Sequence, residues 1–183
     1  MATQPTSGLT YDDLLRFPED GLRREIIDGE LFVTAAPAPR HGRVSRNMAV
    51  ELTLYAREHG GEMLPPVDVY FSHTTVVEPD ILYFREPYPE RPGERFIRVT
   101  PDLVVEVSSP STRRVDLGRK RDLYERMGVP EYWFVDLQKD EVRVFRLANG
   151  GYGEPEVLHA GETLASSAAP GFQIAVAELL PER

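Results

Sequence analysis

The sequence predicts an α/β (α+β) fold: a central mixed β-sheet flanked by helices. Three observations predict it. Asp28-Gly29 lies between the apolar runs Glu25-Ile26-Ile27 and Leu31-Phe32-Val33, a strong hairpin signal that implies antiparallel strands. Asp102–Val107 (DLVVEV), a helical stretch and Tyr132–Leu137 (YWFVDL) then give strand, helix and strand, the order of a parallel crossover unit. After Leu137 the chain reads as short strands separated by turns such as Asn149-Gly150-Gly151, an antiparallel finish.

Residues 1–9 form a polar arm, and residues 10–183 are read as one domain, in keeping with a length of 183 residues. Thr10 is the expected N-cap of a short helix from Tyr11 to Phe17, with Asp12 and Asp13 favourable in its first turn. The hairpin pairs Arg23–Ile27 with Glu30–Ala35, and Pro37 and Pro39 end the second strand. From about His41 to His59, Val44, Met48, Leu52 and Tyr55 recur every three or four residues, which predicts a helix closed by Gly60-Gly61. Strands are expected at Val67–Phe71 and Val77–Phe84, and a surface loop at Pro87–Pro92. A helix follows from about Arg113 to Met127, stopped by Gly128 and Pro130. Strands at Glu141–Arg146, Tyr152–Leu158 and Phe172–Val176 complete the chain.

Composition bounds the function. The chain has no cysteine, which removes thiolate nucleophiles, cysteine zinc sites and disulfides together. No secretory signal and no membrane-length apolar run is visible, so a cytoplasmic location is expected. The formal net charge of -9 counts against a non-specific nucleic-acid coat, whose affinity comes from neutralising phosphates. There is no G-x-S-x-G elbow and no phosphate-binding P-loop, and His59, His73 and His159 show no ligand spacing with one another.

Three features carry chemistry. Asp80 follows Glu78-Pro79 at the start of a strand. Glu106 sits inside the apolar strand Leu103–Val107, where a carboxylate is costly unless paired, hydrogen-bonded or bound to metal. Asp116, Lys120 and Tyr124, spaced four apart, share one side of the following helix. Two carboxylates on neighbouring strands suit Mg2+, or Mn2+ in its place, because Mg2+ keeps several waters and needs only one or two protein carboxylates. Such a metal polarises a phosphoryl oxygen and acidifies its water, and a nearby lysine offsets charge on the phosphate. Against this, Asp80 alone could cap a strand, and Glu106 could form an ion pair with Arg113, Arg119 or Lys120. Arg113, Arg114, Arg119 and Arg121 read either as a basic patch for a nucleic-acid backbone or as a solvated helix face.

Pro79-Asp80, the run Pro101–Thr112, then Lys120, Tyr124 and Gly128–Trp133, with Glu25–Glu30 and His41 upstream, resemble the Uma-two family of restriction endonucleases. The resemblance spans about Tyr11 to Leu180 and implies the restriction-endonuclease-like PD-(D/E)XK fold. It implies a metal-dependent endodeoxyribonuclease in which Asp80 and Glu106 hold Mg2+ and act with Lys120 on DNA. The superfamily places a lysine two residues after the second acid, where this chain has Ser108, so the resemblance moves that role to Lys120. Glu25 and His41 are accessory candidates; Glu25 could instead pair with an arginine across the hairpin, and His41 could be structural. Many nucleases of this fold act as homodimers to cut both strands. The competing reading is a catalytically inactive module that binds nucleic acid or a protein, motivated by the acidic charge and Ser108.

Overall fold

A computed structural model of the protein describes residues 8–89 and 95–180. Residues 1–7 of the expected arm and 90–92 of the expected Pro87–Pro92 loop lie outside the described residues. Asp28 and Gly29 both adopt left-handed backbone, with φ of 52° and 83°, as a two-residue hairpin turn demands. They join β1 (Arg23–Ile27) to β2 (Glu30–Thr34) in antiparallel register, Glu25 opposite Phe32. Helix α1 covers only Tyr11–Leu14; the Asp13 carboxylate accepts the Thr10 N–H and hydroxyl, and the chain leaves the helix before Pro18. Helix α2 runs Pro39–His59, starting two residues ahead of the predicted His41 because Pro39 fits the first helical turn.

The predicted strand Val77–Phe84 is two strands in two sheets. β4 (Val69–Ser72) and β5 (Thr75–Val77) join the first hairpin in a four-stranded sheet ordered β2-β1-β5-β4. β6 (Ile81–Phe84) belongs to a seven-stranded sheet. The chain crosses between them at Glu78-Pro79-Asp80, where Pro79 has no N–H to donate to a ladder. This crossing puts Asp80 at a junction between sheets.

The larger sheet runs β10-β9-β8-β7-β6-β3, with β11 also paired to β9. Its members are β3 (Glu62–Leu64), β6, β7 (Leu103–Val107), β8 (Glu131–Asp136), β9 (Glu141–Ala148), β10 (Gly151–Tyr152) and β11 (Glu156–Leu158). Only β7 and β8 are parallel, which confirms the mixed sheet with one crossover unit. The predicted strand Tyr152–Leu158 is divided at Gly153–Pro155, where Pro155 again denies a donor. β3 and β12 (Thr163–Ala165), three residues each, are too short to carry a readable period, while β12 pairs with β13 (Gln173–Ala175).

The crossover helix α3, residues 113–126, is not a uniform α-helix. An α turn (Arg113–Val115) is followed by a π turn (Asp116–Lys120) and then α-helix (Arg121–Arg126). In the π turn the Arg121 N–H reaches the Asp116 carbonyl, and Gly118 at its centre leaves open space around the backbone. Period 2 along β7 divides the core between the two helices. Leu103, Val105 and Val107 pack with Val44, Met48 and Leu52 of α2, and Val104 packs with Leu123 and Tyr124 of α3. Glu106 shares the α3 face.

Candidate active site

Asp80 and Glu106 meet because β6 and β7 are antiparallel. Ile81 is opposite Val105, and one further step along that register sets Asp80 opposite Glu106. Both side chains are buried. The Val107 N–H donates to Asp80 Oδ2 at 2.9 Å, fixing the carboxylate to the end of β7.

Side chains from two other elements complete the Asp80 end. Arg23 of β1 donates to Asp80 Oδ1 at 2.8 Å, and Nε2 of His41, on α2, stands 3.1 Å from Oδ2. Burial alone would raise the Asp80 pKa, but His41 and Arg23 outweigh it and hold the carboxyl near 2. Asp80 is therefore an anion at any working pH. Arg23 also lies 3.5 Å from the carboxylate of Glu78. The sequence reading did not single out Arg23, although it lies two residues from Glu25 on one strand face.

The Glu106 end is built on α3. Lys120 Nζ donates to Glu106 Oε1 at 2.9 Å and lies 2.8 Å from Glu25 Oε1, while the Tyr124 hydroxyl donates to the same Glu106 oxygen at 2.7 Å. Among the described residues no donor reaches Glu106 Oε2. Burial raises the Glu106 pKa, Lys120 opposes this, and Asp116, Asp80 and Glu25 push it further up. For Lys120, attraction to Glu106, Glu25 and Asp116 overcomes burial and raises its pKa, so it remains an ammonium. Two of its three N–H groups are engaged by Glu25 and Glu106, which leaves one to give.

Asp116 is as buried as its neighbours, yet its Oδ1 has no hydrogen-bond partner. The nearest cation, Lys120 Nζ, is 3.9 Å away. These groups line a cleft of about 490 Å3 that also takes in Ala35–Ala38 and the turn Ser109–Thr112. Its wall carries Glu25, Glu78, Asp80, Glu106 and Asp116 against Arg23, His41 and Lys120, a surplus of carboxylate. Among the described residues no three His, Cys, Asp or Glu side chains enclose a point as a metal cage would. The donor set nonetheless fits a cation that keeps much of its water: an open Glu106 oxygen, an anionic Asp80 and an unpartnered Asp116 oxygen.

The sequence-derived residues divide cleanly by position. Asp80, Glu106, Lys120, Glu25 and His41 converge on the cleft, and Glu25 binds Lys120 and the Glu78 N–H instead of an arginine. Ser108 lies buried at the end of β7 and accepts the Leu137 N–H at 2.9 Å, so it ties two strand ends together. Three of the four arginines of the expected basic patch are paired with carboxylates. Arg113 is held by Asp136 at 2.7 Å, Arg119 by Glu30 at 2.8 Å, and Arg121 by Asp122 and Glu125. Arg114 is exposed, and among the described residues no carboxylate pairs with it.

The model of the Uma2 (Uma-two) family, described as "Putative restriction endonuclease", matches residues 11–177. A crystal structure from Anabaena variabilis, titled as a putative nuclease belonging to DUF820, superposes with a TM-score of 0.80 at 18% identity. The match covers 94% of this chain and 97% of that one, which shows a shared fold. No curated protein matches the chain. Among the described residues no helix is long and apolar enough to cross a membrane.

Proposed function

As this chain belongs to the Uma2 family, we propose that it is a Mg2+-dependent endonuclease hydrolysing phosphodiester bonds of DNA. The observation that carries the reading is the facing pair Asp80 and Glu106 on β6 and β7, with the Lys120 ammonium on Glu106. Asp80 and Glu106 would hold the metal. When bound, a divalent cation supplies Lewis-acid polarisation of a phosphoryl oxygen and an acidified water.

The chain's own residues do the remaining work. Arg23 and His41 keep Asp80 ionised and oriented, and the Val107 N–H fixes it at the cleft floor. Lys120 does not act as a base, because it stays protonated between Glu25 and Glu106. Its third N–H is free to donate to a phosphate oxygen as negative charge builds there. Arg114, exposed near the N-terminal end of α3, is the contact proposed for a flanking phosphate. A second copy is the proposed partner for cutting both strands, which analytical ultracentrifugation checks.

One observation favours a different reading. Both Asp80 oxygens already accept protein donors, as an inactive fold that binds nucleic acid without metal would have them. Plasmid nicking with Mg2+ or Mn2+ at matched salt separates the two, comparing wild type with Glu106→Ala and Asp80→Ala. Nicking by wild type and a loss of 100-fold or more in both folded variants is expected. Nicking that persists in both variants would end the nuclease assignment to this cleft. Inactive wild type that still binds DNA selects the second reading.

A further inference from the structure

Asp116 has no part in the function proposed above, yet one oxygen of its buried carboxyl has no hydrogen-bond donor, Thr112 being a partner of the group. A buried carboxylate oxygen without a donor is a rare and costly arrangement. Asp116 Oδ1 is in that state, with a side chain only 2% exposed. Lys120 does not relieve it, since the ammonium leans to Glu25 and Glu106 at 2.8 and 2.9 Å and stays 3.9 Å from Asp116.

The helix is shaped to bring this oxygen inward. In a regular α-helix a four-residue spacing drifts by roughly 40° at each step, so Asp116 and Tyr124 would diverge across eight residues. The π turn at Asp116–Lys120 takes up that drift, and Asp116, Lys120 and Tyr124 all point to the Glu106 side of β7. Such turns recur where a helix serves a functional site. The terminal torsion of a carboxylate is soft, so a modest rotation brings Oδ1 to the cleft that Asp116 lines.

We propose that Asp116 Oδ1 is a third oxygen ligand of the cleft, binding a divalent cation together with the open oxygen of Glu106. The inference rests on the metal-dependent reading above and adds a residue to it. A cation there satisfies the orphaned oxygen and offsets the carboxylate surplus in one step. It also accounts for the inward placement of an acid that a structural helix face would leave in water.

The test is a titration of free Mn2+, followed by its electron paramagnetic resonance signal, into wild type, Asp116→Asn and Glu106→Gln. Thermal unfolding of each apo protein is measured in parallel. Asp116→Asn is expected to weaken Mn2+ binding by about tenfold or more, while its apo Tm stays equal or rises because an unsatisfied charge is gone. Equal Mn2+ affinity in wild type and Asp116→Asn overturns the inference and leaves a site on Glu106 standing. A clear fall in the apo Tm also overturns it, since the carboxylate would then be a structural partner of Lys120 and Thr112. No saturable Mn2+ binding by wild type overturns the inference together with the metal-dependent reading.

Discussion

Asp68 shows how a single residue records the electrostatics of the cleft. It stands just before β4, where burial first, and then Glu78 and Glu25, raise its pKa from the usual 3.8 to about 6. The folded state therefore holds this proton more tightly than the unfolded chain does. That contribution is fully present below pH 3.8 and is lost as pH rises through about 6. Asp68→Asn should leave Tm nearly unchanged at pH 4 and raise it by ~2–4 °C at pH 8, after allowance for partial exposure. Calorimetry at the two pH values checks this, and an equal shift at both would remove the electrostatic cause. At this scale the sequence was most informative where a charge sits in an apolar run. Glu106 was readable for that reason, Asp80 as an acid at the start of a strand, and Lys120 from its spacing. Arg23 was not, because its bond to Asp80 spans 57 positions and joins different sheets. Asp116 was legible as a helix-face residue, but its missing partner is a fact of packing.

At the scale of elements, Glu131 does what its strand position conceals. It opens β8, has no exposed surface, and accepts the Trp133 indole N–H, the Ser167 N–H and hydroxyl, and the Ala168 N–H. One carboxylate thus fastens the segment before β13 to the central sheet. Glu131→Ala would leave the buried Trp133 and Ala168 N–H groups unpaired, and should cost about 3 kcal/mol or more. Urea unfolding followed by fluorescence checks it, because Trp133 is the single tryptophan and is bonded to this residue. A loss under ~1 kcal/mol would mean that water replaces the carboxylate. The strands and long helices were legible because their apolar periods are regular over five residues or more. The division of Val77–Phe84 was not, since a continuous apolar run does not reveal a change of sheet, and Pro79 was its only mark. The π turn was equally hidden: i→i+5 bonding leaves no period that a four-residue spacing would betray.

The whole molecule carries a net charge of -9, and the structure shows where its cations are spent. Arg23, Arg113, Arg119, Arg121, Arg126 and Lys120 are each paired with a carboxylate. Few arginines near the cleft remain to meet a phosphate backbone; Arg114 and Arg43 are exposed there, and the latter lines a neighbouring hollow with Arg40. Each phosphate neutralised contributes a slope of about -0.9 in log K against log salt for duplex DNA. If binding uses these arginines and a metal-centred contact, the slope should be shallow, about -2 to -3. Fluorescence anisotropy with wild type, Mg2+ and a short nuclease-resistant duplex, from low to moderate salt, measures it. The paired charges also set the expected effect of variants: Arg114→Ala should reduce the magnitude of the slope by about one, and Arg119→Ala should leave it nearly unchanged. A slope near -6 or steeper would show that the ion pairs open on binding and that the arginines of α3 act as a group. The shallow slope, in turn, would assign most of the attraction for phosphate to the cleft itself, where a bound divalent cation would join the Lys120 ammonium and the Arg23 guanidinium.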